Sequence, residues 1–149
     1  MHQDADRIIK LSYPEVLYTV STAHIRKHIT QPMGNSKISK IVIEHISPIT
    51  YYNNGLYTKV DTRTYLSISY PKGMSRASFI QKIKAHMGAN AHAKATASAL
   101  LVDFPSWLIA LKAKSAGWKF ADKEYIENIP KQKILPTEIA KKMFSWGLN

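Results

Sequence analysis

The chain has no cysteine. That excludes disulfides and thiolate-held zinc, so neither a zinc finger nor a zinc ribbon organises it, and it suits a reducing compartment. Acid is scarce where base is plentiful: between Asp61 and Asp122 the one carboxylate is Asp103, against nine lysines and arginines. Mixed charge on a surface limits self-repulsion and unwanted association; thinning the acids leaves a positive field suited to a polyanion. Arginine is scarce as well, four residues against seventeen lysines. That favours point-charge contacts with phosphate over bidentate reading of base edges. Long apolar runs are missing too. The longest, 95–110, is interrupted by Asp103 and Pro105 and falls short of the roughly 20 residues a membrane helix needs. The first ten residues carry Asp4 and Asp6 and lack the apolar core of an export signal. The expectation is a cytoplasmic protein with no membrane partner.

What is present is ordinary globular composition, 45% hydrophobic and 21% charged over 149 residues, enough for one domain over 1–149 with its own core. The net charge of +11 is uneven: twelve basic and five acidic groups in 75–149 against nine and five in 1–74. Ser12-Tyr13-Pro14 reads as a helix entry, with Val16, Leu17, Val20 and His24 at helical spacing over about 14–29. A loop over 31–37 follows, rich in Pro, Gly and Asn. Asn53-Asn54-Gly55 between two β-rich runs predicts a hairpin with strands near 38–52 and 56–70. If Asn54 and Gly55 form its turn, partners sum to 109, so that Ile43 meets Leu66 and Ile49 meets Val60. Pro48, which has no N–H to donate, implies a bulge, an edge or a break in the first strand.

The second half reads as mainly helical. Ser75 is a plausible cap for a helix carrying Phe79, Ile80, Ile83 and Met87. The Ala-rich segment 89–102 has high helix propensity. Asp103-Phe104-Pro105 opens another helix through about 115, apolar nearly all round, with Gly117 as its stop. A short helix over about 121–128 and an extended piece over 131–135 follow. Pro136-Thr137 then starts a terminal helix with Ile139, Met143 and Trp146 on one face.

Alternation along the second hairpin strand puts Tyr57, Lys59, Arg63 and Tyr65 on one side, aromatic rings interleaved with cations, as on surfaces that stack bases and neutralise phosphates. The bland counterpart is a Tyr-bearing strand packed under a helix. Arg76, Lys82, Lys84, Lys94, Lys112 and Lys114 extend the basic surface, and the bland reading of so many lysines is solubility. A helix-turn-helix over 80–97 fits poorly, since Lys84 and Lys94 fall at core-facing positions. His24 and His28 stand one helical turn apart, but no carboxylate ligand accompanies them. His86 and His92 with Lys94 are the residues a metal-free nuclease would use, on spacing that has no specificity. His45 alternates onto the apolar hairpin face, where a core histidine is expected. Trp107, Met143 and Trp146 are the candidate anchors of a homodimer or partner interface, with core packing as the default.

The fold expected is α+β, a long antiparallel β-hairpin or small sheet packed against a mainly helical C-terminal half. The function expected is non-enzymatic binding of nucleic acid, RNA or single-stranded DNA, through its phosphate backbone, with no cofactor and no metal. The alternative is a protein-binding inhibitor or adaptor, of the kind a mobile element encodes, docking its basic face on an acidic protein or a nucleoprotein complex.

Overall fold

A computed structural model of the chain describes residues 9–12, 36–88, 90–113, 117–123, 126 and 135–145. Most of them are strand: β1 (Ser36–Ile46), β2 (Thr50–Tyr52), β3 (Gly55–Ser69), β4 (His92–Ala95), β5 (Ala99–Ala113) and β6 (Trp118–Asp122). Two short helices accompany them, α1 (Arg76–Ala85) and α2 (Thr137–Ser145). The strands form one sheet in the order β1-β3-β5-β4, with β2 also paired to β3 and β6 also paired to β5. The expectation of a mainly helical C-terminal half is therefore wrong.

The physical reason lies in two segments. From Ala91 to Ala99, alanine alternates strictly with His92, Lys94, Thr96 and Ser98. That is a period of two, and it prevails over the helix propensity of alanine once a neighbouring strand is there to pair. This segment forms β4 and a tight turn into β5, where Thr96 N–H donates to the Ala99 carbonyl at 2.9 Å. In β5 the all-round apolar character marks a strand flanked by others, which periodicity cannot tell from a buried helix. Pro105 is tolerated inside β5 because residues 100–103 pair with β4 and residues 108–112 with β6. It falls in the gap between those two ladders, where its missing N–H breaks neither.

The hairpin turn is placed one residue earlier than expected. Asn53 and Asn54 take the positive φ values, 44° and 64°, and Thr50, Tyr51 and Tyr52 pair with Tyr57, Leu56 and Gly55. Partner numbers therefore sum to 107. The chain breaks between β1 and β2 at Pro48, as a residue without an N–H requires. The helix read at 14–29 lies outside the described residues, as does most of 124–134.

The described residues divide into two compact units, one within 9–12, 45–61 and 107–145, the other within 36–44 and 62–106. The first is built on a core of Tyr57, Ile109, Ala121, Ile126, Leu135, Ile139 and Met143. Here α2 turns its Ile139–Met143 stripe inward, and both side chains are essentially fully buried. Tyr52 on β2 donates to Glu138 Oε2 on α2 at 3.1 Å, and that carboxylate raises the Tyr52 pKa.

The second unit buries Leu100 and Val102 of β5 and Thr62 of β3. Its helix α1 starts at Ser75, whose hydroxyl accepts from Ser78 N–H, satisfying one of the unpaired donors of the first turn. Lys82 and Lys84 sit in the last turn, where the helix dipole favours cations. Phe79 packs edge-on against Tyr70, with centroids 5.9 Å apart. The Tyr70 hydroxyl bonds to the carbonyls of Thr96 and Ala99, tying the end of β3 to the β4–β5 turn.

Candidate functional site

Within the second unit the β4–β5 register sets His92 opposite Asp103 and Lys94 opposite Leu101. Opposed residues project from the same side of a sheet, so a histidine, a carboxylate and a lysine share one face. His92 Nδ1 lies 3.1 Å from Asp103 Oδ1. An ionised carboxylate only accepts, so Nδ1 carries the proton and Nε2 is the nitrogen left to meet a ligand. Arg63 Nη1 reaches the same Asp103 oxygen at 2.7 Å, while Arg63 Nε donates to Glu44 Oε1 at 2.6 Å. The order Glu44, Arg63, Asp103, His92 thus runs across three neighbouring strands and onto β4. His92 and then Arg63 hold the Asp103 carboxyl below its ordinary pKa. Glu44 and then Asp103 raise that of Arg63. The Arg63 guanidinium is matched on two sides.

Next to this chain of charges lies Tyr65, with Lys40 Nζ 4.4 Å from its ring centroid. Such a contact is a cation–π interaction. A cleft of about 300 Å³ is lined by Ser39, Tyr65, His92, Lys94, Leu101 and Asp103, and a second of about 340 Å³ by Lys84, Met87, Gly88, Ala91, His92 and Ala93. The two share His92 and Ala93. The His92 side chain is 72% exposed, against 23% for Asp103 and 21% for Arg63. A charge-paired base therefore carries an accessible imidazole; Lys40 of β1 lies over the Tyr65 ring and Lys94 of β4 lines the same cleft, while Lys84 of α1 lines the adjoining one.

The structure separates the residues that the hairpin alternation joined. Tyr57 is buried in the core of the first unit. Lys59 pairs with Asp61 at 2.7 Å and its side chain is only 16% exposed. Arg63 and Tyr65 belong to the second unit and to the cluster just described. Arg76 packs its guanidinium over the Tyr70 ring and donates to the Ala97 carbonyl, bracing the β4–β5 turn. Lys82 is exposed on α1, and Lys84 joins the second cleft. Lys94 lies in the first cleft.

Lys112 is exposed near the end of β5, opposite Trp118, and belongs to the first unit. Trp107 packs partly buried against the same core that encloses Met143. Lys114 and Trp146 lie outside the described residues, as do His24 and His28. His86 Nδ1 lies 2.8 Å from the Lys82 carbonyl oxygen. His45, expected in the core, is exposed on β1, where none of the described residues covers it. A helix-turn-helix over 80–97 is excluded, since β4 stands where its second helix would be.

Lys40, Glu44 and the pairing of His92 with Asp103 went unread in the sequence. The signal was there in the alternation of His92 and Lys94 with alanine, which places both on one strand face. Among the described residues no group of three His, Asp or Glu side chains could hold a metal ion, and no helix is long and apolar enough to cross a membrane. Comparison of the chain with models of known families, with curated proteins and with solved structures finds no match.

Proposed function

We propose that this protein binds single-stranded nucleic acid, RNA or DNA, without turning it over. The binding surface is the open sheet face of the second unit. Tyr65 offers a ring on which a base stacks in place of Lys40, while Lys84, His92, Lys94 and the displaced Lys40 meet backbone phosphates. One observation carries the reading: Lys40 and Lys94, from separate strands, accompany the Tyr65 ring at one cleft, and that cleft adjoins through His92 a second one lined by Lys84. Stacking platforms flanked by lysine are how sequence-tolerant single-strand binding works. With Arg63 already engaged by Glu44 and Asp103, no free guanidinium fork is offered there for reading base edges, and weak sequence preference follows.

The test is anisotropy titration of labelled single-stranded RNA, single-stranded DNA and duplex over a salt series. Affinity should fall with salt at a log–log slope of about 0.7 per phosphate neutralised on a single strand. Changing Lys84 and Lys94 together to glutamate should flatten that slope, and Tyr65→Ala should cost about 1–3 kcal/mol by loss of stacking. Absence of binding at low salt overturns the reading. So does binding that ignores both changes. Recovery from cell extract of one stoichiometric, nuclease-resistant protein partner would instead favour an adaptor docked through the same cations. Cleavage of the oligonucleotide in chelator would favour catalysis by His92.

A further inference from the structure

β1 is eleven residues long and, among the described residues, is paired to β3 alone at the end of the strand order. Every residue after Ser36 in it is exposed. Ile41, Ile43 and Ile46 are 58%, 61% and 55% exposed, and Ile38 and Val42 are 38% and 37%. A long, exposed, apolar edge is a template for another strand, and proteins normally blunt such edges by shortening, bulging or covering them. The opposite end of the same strand order is blunted in this way, since β4 has four residues and carries His92 and Lys94. β1 is not. Its side chains are apolar on both faces, which a strand facing water on one side does not need.

We propose that β1 is a self-pairing edge: two copies of this chain join β1 to β1 in antiparallel register about a two-fold axis at Val42. What selects this occupant is the order of residues in β1 itself. With Val42 opposite its own copy, Lys40 meets the partner's Glu44 and Glu44 meets the partner's Lys40. Ile41 then faces the partner's Ile43, Ile38 the partner's Ile46, and Ser39 the partner's His45. Lys40 and Glu44 each meet an opposite charge and every large apolar side chain meets another, which is what stabilises cross-strand pairs.

The neighbouring symmetric registers fail. Centring on Ile41 sets Ile38 against Glu44; centring on Lys40 sets two lysines together; centring on Ile43 sets Lys40 against Ile46. A two-fold closes the contact at two copies, so it ends in a dimer and not a fibre. The axis is perpendicular to the sheet and leaves both copies' Tyr65 faces on the same side. On the reading proposed above a bound strand would cross both, but the pairing does not depend on that reading.

Sedimentation of the full chain over a wide concentration range should show a reversible dimer. Lys40→Glu sets acid against acid twice across the axis, and Glu44→Lys sets base against base. Each change alone should weaken dimerisation roughly tenfold or more. Mixed in equal amounts, the two variants restore both opposite-charge pairs and should dimerise as the parent chain does. The chain has no cysteine of its own, so thiols report the register directly. Val42→Cys should oxidise to a covalent dimer. Ile38→Cys should not, because its two copies stand eight positions apart, roughly 26 Å along the strands.

A parent chain monomeric at all concentrations overturns the proposal. So does a dimer indifferent to both charge changes, or crosslinking by Ile38→Cys in preference to Val42→Cys. Should a charge variant lose its fold, shown by circular dichroism, the cysteine pair still decides.

Discussion

Gly55 opens β3 immediately after the Asn53-Asn54 turn, and its backbone is not in the left-handed region. Its lack of a side chain serves another purpose. A Cβ built there would meet Tyr57 Cε2 at 2.8 Å, with the ring's Oη at 3.1 Å and Cζ at 3.2 Å. Tyr57 is only 7% exposed and packs in the core with Ile109, Ile139 and Met143, so its ring has little room to swing clear. Gly55→Ala should therefore behave as overpacking, at about 1–3 kcal/mol. Reduced freedom of the unfolded chain offsets about 0.4–1 kcal/mol of this, since alanine suits the local φ. A net loss of about 0.5–2 kcal/mol follows, read as a lower urea midpoint at unchanged m value. The decisive arm is a double-mutant cycle. In a Tyr57→Leu background the obstructing ring is gone, and Gly55→Ala should become neutral or stabilising. If it costs as much there as in the parent chain, close packing of the ring is not the reason for glycine at this position.

Two further outcomes follow from polar groups. Asp103 has a folded-state pKa below its ordinary value, owing first to His92 and then to Arg63. Its contribution to stability is thus fully present above the ordinary carboxylate pKa of about 3.9 and lost as pH falls through the depressed value. Asp103→Asn should lower the urea midpoint at neutral pH and flatten its decline in acid; parallel acid limbs for the two proteins would contradict the pairing. Among the described residues the buried Thr50 Oγ1 has no hydrogen-bond partner. Thr50→Val keeps its shape and should raise stability by about 1 kcal/mol, and a loss on thermal unfolding would show that the hydroxyl is satisfied.

Much of the local structure was legible in the chain. The Asn53-Asn54-Gly55 hairpin, the break at Pro48, the Ser75 cap and the helix after Pro136 all rest on backbone chemistry within a few residues: positive φ, a missing N–H, an oxygen placed to accept. Such signals need no distant partner. Ala89–Val102 and the stretch after Pro105 did not announce themselves, because helix propensity and strand alternation conflict there, and the conflict is settled by neighbours far away in sequence. β5 is a strand because β3 lies on one side and β4 and β6 on the other.

The candidate site divides in the same way. The alternation of His92 and Lys94 is written in the chain. That Asp103 meets His92 depends on the pairing of β4 with β5, and that Arg63 reaches from β3 to hold it depends on contact between residues forty positions apart. The sequence by itself determined the existence of the hairpin, the Ser75 cap, the positive charge and the apolar character of β1, because each is a property of residue type and short spacing. Only the tertiary structure decided that Tyr57 is core and Tyr65 surface, that Arg63 is occupied, and that β1 ends the order of the described strands. Burial and partnership belong to residues that the fold, not the chain, makes neighbours.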